Sequence, residues 1–466
     1  MRNIFFLFLL CLKLIKFIYN NNIKNELLLL FNNIMLNILQ LYAVDIIKGG
    51  KSLFLTGPPG VGKSYTLKNI IKYLDDIENN YGLTAMTGCA ALLIKGQTLH
   101  SFLGIGLGND TVEKLYVKIC KNKKKFNELK NLDTLIIDEV SMMNNKFFEK
   151  ISKLLTLIKN NNKPFGNIRL LLIGDFYQLP PLNDEYCFKS KLWEDINMTT
   201  VELNESMRQK DDIVFQKLLN NIRKGKITEK DYNALKSLDK TKFNDITPTK
   251  IYCLKKDVND INNYYFTKLF IKLNNLKKLE VDEYISKYTF ECLPYEDNKE
   301  ILNNITYIYK YKIITNDKYI NKSEYEVSLI MGAKVMITRN INIEKELVNG
   351  KTGEIINLTN SYVVIKDDYN NIFKIDYYKD DNPYNKYVKF MPLTLAYGIT
   401  VHKSQGSTLD YIEIDGSKNN FAPGQFYTAI SRAKTLKNIK LVNLDTDALI
   451  INNDVLNFYK KTIKFT

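Results

Sequence analysis

Three short apolar runs in the first half of the chain each end in a cluster of small or polar residues. They are Leu53 to Thr56, Leu132 to Ile137 and Ile168 to Ile173. Other segments have apolar residues three and four positions apart, as from Leu36 to Ile47 and from Lys63 to Leu74, and this spacing is typical of helices. Strands that alternate with helices predict an α/β fold with a parallel, doubly wound sheet, whose ligand lies at the carboxyl ends of the strands.

A different pattern occupies the second half of the chain. Short alternating stretches such as Tyr362 to Ile365 and Ile372 to Ile375 follow a turn signal at Asn349–Gly350, which predicts a hairpin and a small β-barrel. The polar segment from about Lys255 to Lys322 gives little indication of helices, strands or a functional motif. A further apolar segment then leads into the polar sequence TVHKSQGSTLD.

The first apolar run is followed by GPPGVGKS, from Gly57 to Ser64. This sequence matches the phosphate loop, in which glycines bring backbone N–H groups close to phosphates and the next helix points its positive end at the same anion. Lys63 can reach the β- and γ-phosphates, and Ser64 can hold Mg²⁺. We therefore expect ATP and Mg²⁺ as cofactors, with the nucleotide bound by Gly57, Pro58, Pro59, Gly60, Val61, Gly62, Lys63, Ser64 and Tyr65.

Candidate catalytic residues follow the other two runs. Asp138 and Glu139 end the second run, where a buried carboxylate pair is costly unless it serves a cation. We expect Asp138 to face Mg²⁺ and Glu139 to orient the attacking water. Gln178, just beyond the third run, is placed to sense the γ-phosphate. Arg432 in GQFYTAISRAK is a candidate arginine finger, because a guanidinium matches phosphate geometry and stays charged.

The composition gives weak support for nucleic acid as a partner and does not indicate a bound transition metal. The 466 residues include 66 Lys and Arg against 51 Asp and Glu, a net charge of +15, which attracts nucleic acid or anionic membranes. The abundance of Lys, Asn, Ile and Tyr equally fits an AT-rich genome. Six cysteines form no C-x-x-C pair, and His100 and His402 are the two histidines of the sequence, so zinc and iron–sulfur sites are not indicated. Scattered thiols fit a reducing compartment.

Several features leave alternatives open. Ile4 to Leu12 is an apolar run too short to span a bilayer. Four interpretations of this N-terminal stretch stay open. It is an extension without a structural role, an organellar targeting segment, a secretory signal, or sequence that precedes a true translation start at Met35. The Lys-rich segment from Gly104 to Leu132 is a solvated helix face or a small insertion beside a nucleic-acid path. Spacing alone leaves Gln40 undecided between a surface glutamine and a site residue, and it favours a hydrogen-bonded loop residue for His100.

Seven motifs follow one another along the chain: GPPGVGKS, TGCAALLIKGQTLHSF, IIDEVSMM, GDFYQLPP, LNESMRQ, AYGITVHKSQGSTLD and FYTAISRAK. In this order they resemble the motifs of the Pif-type DNA helicases, which are related to the RecD-like enzymes of superfamily 1, group B. The resemblance covers about Leu36 to Leu444, and GQTLHSF and TVHKSQGSTLD are its most specific parts. The sequence departs from many members at Pro58–Pro59, where they have a small residue.

This resemblance implies two RecA-like P-loop NTPase motor domains, with ATP in the cleft between them and a small SH3-like β-barrel inserted in the second. We accordingly expect an N-terminal apolar extension at 1–34 and a first motor domain at 35–203, which carries a small insertion at about 103–131. The second motor domain is expected at 204–354 and 392–466, and the SH3-like insertion at 355–391.

The resemblance also implies roles for single residues. Gln40 matches the glutamine that reads adenine, and Arg208 and Arg432 match the arginines that close on the nucleotide from the second motor domain. The expected catalytic set is Lys63, Asp138, Glu139, Gln178, Arg208 and Arg432, with Ser64 and Asp138 on the metal ion. The residues expected along the single-stranded DNA are Thr87, His100, Ser101, Thr400, His402 and Lys403.

Together these features predict an ATP-driven 5′-to-3′ DNA helicase that acts on single-stranded DNA and duplex junctions, in replication, repair, recombination or telomere maintenance. We expect a monomer with no membrane partner, inside the cell, and in the nucleus or mitochondria if the source is eukaryotic. The alternative is a nucleic-acid-stimulated NTPase switch or packaging subunit that does not unwind. The sequences GQTLHSF and HKSQGSTLD disfavour, without excluding, an RNA helicase.

Overall fold

A computed structural model of the chain describes residues 36–106, 108–181, 184–209, 211–243, 246–275, 285–287, 289–292, 307–315, 322, 325–339, 341–342, 345, 347, 349–382, 386–417 and 422–462. The expectations for residues 1–34 and for a start at Met35 fall outside the described residues. Within the described ranges, no helix has the length and apolar character that crossing a membrane requires.

The apolar runs of the first half form one parallel sheet. Its strands are β1 (Leu53–Thr56), β2 (Tyr81–Ala85), β3 (Gln97–Thr98), β4 (Thr134–Asp138), β5 (Arg169–Ile173) and β6 (Thr199–Glu202). Their order across the sheet is β3-β2-β4-β5-β1-β6, and every pairing is parallel. Strands β1, β4 and β5 are buried almost throughout, because helices cover both faces of a sheet of this kind. The strands expected before the phosphate loop, before Glu139 and before Gly174 are confirmed.

Helices connect these strands and carry the loops of interest. They are α1 (Ile38–Lys48), α2 (Lys63–Asp76), α3 (Gly88–Leu93), α4 (Leu99–Leu103), α5 (Val112–Lys121), α6 (Lys123–Lys130), α7 (Asn145–Lys159) and α8 (Lys191–Asp195). Helix α1 begins at a capping box, in which the side chains of Asn37 and Gln40 each accept a hydrogen bond from the other residue's backbone N–H. The Lys-rich segment forms α5 and α6, which pack on α7. Their lysines mostly face outward, and the side chain of Lys125 is buried.

Within the described residues, the strands of the second half form four further sheets. They are β7 (Thr249–Tyr252), β8 (Thr289–Cys292), β9 (Ile308–Tyr311), β10 (Ile314–Thr315), β11 (Val327–Leu329), β12 (Lys334–Ile337), β13 (Thr352–Leu358), β14 (Tyr362–Lys366), β15 (Ile372–Asp376), β16 (Tyr378–Asn382), β17 (Lys386–Phe390), β18 (Leu393–Leu395), β19 (Gly398–Thr400), β20 (Ile412–Asp415) and β21 (Ile439–Val442). The order β19-β7-β20-β21 is a second, all-parallel sheet. Around it lie α9 (Ile213–Lys224), α10 (Glu229–Ser237), α11 (Lys255–Asn274), α12 (Val401–Ser404), α13 (Gln425–Ile430) and α14 (Asn453–Thr462).

Three further sheets of the described residues lie between β7 and β19 in the sequence, and they are called the small sheets below. The largest is antiparallel, in the order β15-β14-β13-β12-β18, and the others are β10-β17-β16 and β11-β9-β8. The turn expected at Asn349–Gly350 joins β12 to β13, and the strands expected at Tyr362 and at Ile372 are present. Strands of the small sheets begin before residue 355 and continue past 391. The bounds of the domains therefore remain a prediction, since only part of the small sheets lies within 355–391.

The hydrophobic core is shared between the two parallel sheets. One buried cluster contains Phe54 of β1 and Phe102 of the first half together with Ile414 of β20 and Phe426 of α13. A second cluster fills the space between α1, α2 and the first sheet, and a third lies within the small sheets. Because one cluster spans both parallel sheets, the relative position of the two sheets is set by apolar packing as well as by polar contacts.

A buried ion network joins the first sheet to α9. The Nε and Nη2 atoms of Arg223 each donate to one carboxylate oxygen of Asp175 at 3.0 Å, and Nη1 donates to Glu202 at 2.5 Å. The side chains of Arg223 and Asp175 are 1% and 0% exposed. The guanidinium also lies over the rings of Tyr177 and Tyr459, at 4.6 and 5.5 Å from their centroids. Such a charge is tolerated in a protein interior only when its partners satisfy it.

Helix α14 reaches back to the strand that precedes the phosphate loop. The hydroxyl of Tyr459 lies 2.7 Å from Oγ1 of Thr56, and it accepts a hydrogen bond from the backbone N–H of Phe176 at 3.1 Å. The Tyr459 ring stacks on Tyr177 with a centroid distance of 4.7 Å. The ends of β1 and β5 are thus held by a residue from the last helix of the described chain.

We expect Arg223→Met to lower the free energy of unfolding by about 3–5 kcal/mol, because it leaves Asp175 buried without its cation. The neighbouring change Lys224→Met, on the same helix and partly exposed, should alter it by about 0.5 kcal/mol or less. Urea unfolding of both variants followed by circular dichroism measures the difference. Equal stability of the two variants would show that the ion network contributes nothing.

Candidate nucleotide site and nucleic-acid path

The phosphate loop runs from the end of β1 to the start of α2. Gly57, Gly60 and Gly62 all have positive φ angles, of 137°, 83° and 87°, which residues with a side chain rarely adopt. A Cβ atom at Gly60 would lie 2.5 Å from Cβ of Arg208, and one at Gly62 would lie 2.5 Å from Nε2 of Gln40. The loop therefore needs glycine both for its backbone shape and for the close approach of these two side chains.

Lys63, the first residue of α2, points back along the loop. Its Nζ atom donates to the carbonyls of Gly57 and Pro58 at 2.7 and 3.0 Å. Burial lowers the pKa of Lys63, and the nearby charges of Asp175, Glu139 and Asp138 counteract that effect. The ammonium thus lies over the loop and among carboxylates, in a position to meet a bound phosphate. The side chains of Ser64 and Tyr65 are exposed beside it.

Asp138 and Glu139 lie at the carboxyl end of β4. Burial and the neighbouring charge of Glu139 raise the pKa of Asp138 to about 7, and burial also raises the pKa of Glu139. Oδ1 of Asp138 accepts from the backbone N–H of Glu139 at 2.8 Å. Glu139 itself has a left-handed backbone, with φ of 54°, a strained conformation that is often found at functional sites. Both groups favour the approach of a cation, since a cation stabilises their charged forms.

Gln405, which was not among the predicted site residues, contacts Glu139 directly. Its Nε2 atom donates to Oε2 of Glu139 at 2.7 Å, although the two residues are 266 positions apart. Gln405 is buried and lies just after α12. Gln405 lies within the polar motif TVHKSQGSTLD identified above, but no pattern in the sequence links this residue to Glu139.

The two predicted arginines lie near Ser431, and Arg208 also packs against Gly60 of the phosphate loop. Nη1 of Arg208 donates to the carbonyl of Ser431 at 3.1 Å. Arg432 is 1% exposed, and its guanidinium donates to the carbonyls of Thr428 and Ser404 and to the hydroxyl of Ser431. Burial lowers the pKa of Arg432 to about 10, and burial together with the charge of Arg432 lowers the pKa of Arg208 to about 9. Both side chains are therefore cations at neutral pH, hydrogen-bonded through these contacts to neutral groups.

Gln178 is buried in the loop after β5. Its backbone N–H donates to the carbonyl of Asp175 at 2.9 Å. A Cβ atom at Gly424 would lie only 2.1 Å from the carbonyl oxygen of Gln178, so the start of α13 rests directly on this loop. The structure thus brings Gln178 to the boundary between the two parallel sheets.

Gln40 is buried at 2% exposure, so the surface alternative for this residue is wrong. Its Oε1 atom accepts from the backbone N–H of Asn37 at 3.0 Å, and Nε2 donates to the carbonyl of Val61 at 3.4 Å. The amide therefore supports both the start of α1 and the phosphate loop. Reading of adenine by Gln40 stays a prediction.

The residues expected along single-stranded DNA fall into two groups at the carboxyl ends of strands. Thr87 follows β2, while His100 and Ser101 follow β3 in α4. The His100 ring stacks on Phe147 with a centroid distance of 4.6 Å, and burial lowers its pKa. Ser101 is exposed, and Oγ1 of Thr87 accepts from the N–H of Ala90 at 3.2 Å. His100 thus lies in a helix, where it packs against an aromatic ring.

The second group follows β19. Oγ1 of Thr400 caps α12 by accepting from the N–H of Lys403 at 3.1 Å. His402 is half-buried, and burial together with the charge of Lys255 lowers its pKa. Lys403 is exposed. Each group lies at the end of the edge strand of its sheet or next to it. Contact of these residues with DNA stays a prediction.

The donor atoms near the phosphate loop fit Mg²⁺. The Asp138 carboxylate and the Ser64 hydroxyl are hard oxygen ligands, and the elevated pKa of Asp138 shows a carboxylate that would gain from a cation. Among the described residues, no group of three His, Cys, Asp or Glu side chains is placed to hold a metal ion. A magnesium ion here would take its remaining ligands from phosphates and water, as is usual in nucleotide sites.

A model of the PIF1-like helicase family matches residues 35–233. The chain is 29% identical over 431 residues to the ATP-dependent DNA helicase Pif1 of Bdellovibrio bacteriovorus, covering 91% of each chain. It also resembles two solved structures. The crystal structure of the Candida albicans Pif1 helicase matches at 30% identity and a TM-score of 0.70, covering 92% of this chain and 99% of that one. A Bacteroides Pif1 helicase in complex with ADP-AlF3 and single-stranded DNA matches at 26% identity and a TM-score of 0.61, covering 92% and 98%.

We expect Gln40→Ala to weaken ATP binding and to abolish the preference for ATP over GTP. Asn37→Ala is a matched control, because each change breaks the capping box at a cost of about 1 kcal/mol while only Gln40→Ala removes the amide beside the loop. Turnover with each nucleotide in both variants measures the effect. If both variants lose ATP and GTP turnover equally, the amide serves only the start of α1.

Proposed function

This chain belongs to the PIF1-like helicase family, and we infer from that membership that it is an ATP-dependent DNA helicase. Its α/β fold contains the parallel sheets of two RecA-like motors. The observation that best supports the inference is the convergence of groups on one cleft. Lys63 begins the helix after β1, Asp138 and Glu139 lie at the end of β4, and Arg208 and Arg432 are hydrogen-bonded to the second half of the chain.

ATP hydrolysis would use these groups in distinct roles. The phosphate-loop N–H groups and Lys63 would bind the β- and γ-phosphates, and Glu139 would orient the attacking water and take its proton. Arg208 and Arg432 would stabilise the charge that develops on the γ-phosphoryl, since their hydrogen bonds to neutral groups leave their charge available to an anion. Gln178, at the boundary of the two sheets, would register the presence of the γ-phosphate.

Mg²⁺ is the proposed second cofactor. Ser64 and Asp138 would hold it, and the ion would neutralise part of the phosphate charge. The raised pKa of Asp138 supports this role, because a carboxylate that resists ionisation without a cation is stabilised when one binds. Residues Gly57 to Tyr65 would surround the nucleotide, with Gln40 against its base.

The DNA would lie across the two groups of residues expected along single-stranded DNA. Thr87, His100 and Ser101 would contact it from the first motor, and Thr400, His402 and Lys403 from the second. Contacts to phosphate and sugar carry little sequence information, so binding should be sensitive to salt and nearly independent of sequence. Closure of the cleft on ATP would then move one group of contacts relative to the other.

We propose that the translocation runs 5′ to 3′ on single-stranded DNA and that the enzyme works as a monomer at duplex junctions. Replication, repair, recombination or telomere maintenance is the proposed setting, in the nucleus or mitochondria of a eukaryotic source. The basic charge of +15 supports a nucleic-acid partner.

Unwinding of tailed duplexes should require a 5′ tail. A labelled duplex with a 5′ single-stranded tail is expected to be separated in the presence of ATP and Mg²⁺, while the same duplex with a 3′ tail stays intact. Single-stranded DNA should also stimulate ATP hydrolysis strongly. DNA-stimulated hydrolysis without separation of either duplex would instead support an NTPase switch.

Arg432→Ala should abolish most ATP turnover and all unwinding while single-stranded DNA binding stays nearly intact. Arginine fingers contribute about 10³–10⁵ in rate to other phosphoryl-transfer enzymes. Arg432→Lys should not restore activity, because lysine lacks the planar fork. The exposed change Lys437→Ala serves as the control. Titration of labelled DNA and an ATPase assay on the same preparation test this, and near-normal turnover in Arg432→Ala would remove the residue from the catalytic set.

A further inference from the structure

The segment after α12 contacts three separate parts of the molecule. We name it the 405–408 loop, after its residues Gln405, Gly406, Ser407 and Thr408. Its first residue donates to Oε2 of Glu139 at 2.7 Å. The carbonyl of Ser404, immediately before the loop, accepts from Arg432 at 3.3 Å. A single short stretch therefore connects to the proposed base and to the proposed arginine finger.

The other residues of the loop hold it against both sides of the cleft. Gly406 has a φ of 78°, and a Cβ atom there would lie 2.8 Å from Cδ1 of Leu93, at the end of α3 in the first motor. On the far side, a Cβ atom at Gly350 would lie 2.8 Å from Cβ of Ser407 and 2.9 Å from the carbonyl of Thr408. The hairpin between β12 and β13 thus supports the loop from the side of the small sheets.

The bond from Gln405 constrains a side chain whose own backbone is strained. Glu139 is held at a φ of 54°, and its Oε2 atom is occupied by the Gln405 amide, which leaves Oε1 to meet a water molecule. Gln405 is buried at 7% exposure and fixed by a loop in close contact on two sides. Because catalytic geometry must be held to within a fraction of an ångström, a fixed donor of this kind has a direct effect on rate.

We propose, on the basis of the function inferred above, that Gln405 is a positioning residue that orients Glu139 for attack on the γ-phosphoryl. Gln405 can donate to Glu139 only when the two motors are packed together as they are here. The orientation of the base therefore depends on the relative position of the two motors. His402 and Lys403, the proposed DNA contacts of the second motor, lie three and two positions before Gln405, on α12. Because Gln405 directly follows α12, binding of DNA to α12 would affect the orientation of the Glu139 carboxylate.

Replacement of Gln405 by leucine tests this role. We expect Gln405→Leu to lower kcat at saturating single-stranded DNA by about tenfold to a hundredfold, with the KM for ATP and the Kd for DNA unchanged. Gln405→Glu, which keeps the length but places a carboxylate beside Glu139, should lower kcat at least as much. Gln425→Leu, the same change at a half-buried glutamine of α13, should leave kcat unaltered.

A double-mutant cycle separates positioning from other roles. In the Glu139→Gln background, a second change Gln405→Leu should lower the residual turnover no further, because Gln405 acts through Glu139. Additive losses, or a normal kcat with weaker DNA binding, would overturn the proposal and make Gln405 a DNA ligand or a general structural residue. If Glu139→Gln alone keeps full turnover, Glu139 is not the base, and the proposed hydrolytic site is wrong. That outcome is distinct from the outcomes that contradict only the role of Gln405.

Discussion

The ion network around Arg223 constrains the placement of everything else in the cleft. Each buried ion costs several kcal/mol to remove from water, so Arg223 has to meet Asp175 and Glu202 closely to be tolerated. Those carboxylates follow β5 and end β6, on either side of the phosphate-loop strand. Helix α9 can therefore take only a narrow range of positions relative to the first sheet. Helix α13, which packs on α9 and ends just before Arg432, is thereby also restricted in its position relative to the first sheet.

The nucleotide site has the opposite electrostatic character. Lys63 donates to loop carbonyls and Arg432 donates to backbone and hydroxyl oxygens, while burial raises the pKa of both Asp138 and Glu139. Opposite charges lie near one another there without direct ion pairs among these contacts. Such an arrangement favours an anion beside the cations and a cation beside the carboxylates, as a nucleotide with its metal supplies both. In the network around Arg223 the cation is paired directly with two carboxylates, and this network stabilises the structure around a nucleotide site in which Lys63 and Arg432 bond to neutral oxygens.

Local patterns were sufficient to predict the parts of the fold that are local. The apolar strands β1, β4 and β5 and the motif at each of their ends could be predicted, because a buried parallel strand reads as a continuous apolar run. The bond from Gln405 to Glu139 joins residues 266 positions apart, and periodicity carries no information about such pairs. The burial of Gln40 depends in the same way on the phosphate loop folding over it. The largest antiparallel sheet extends past 355–391 because β12 and β18, which are distant in sequence, pair with each other.

The contact of Tyr459 with Thr56 gives the chain an order of assembly. The two residues are 403 positions apart, and at a synthesis rate of about 5–20 residues per second Tyr459 would leave the ribosome roughly 20–80 seconds after Thr56. Throughout that interval the strand that leads into the phosphate loop lacks the hydroxyl that ties it to Phe176. A nascent first motor can fold its sheet in this time, but it completes the support of its nucleotide loop only after Tyr459 has emerged.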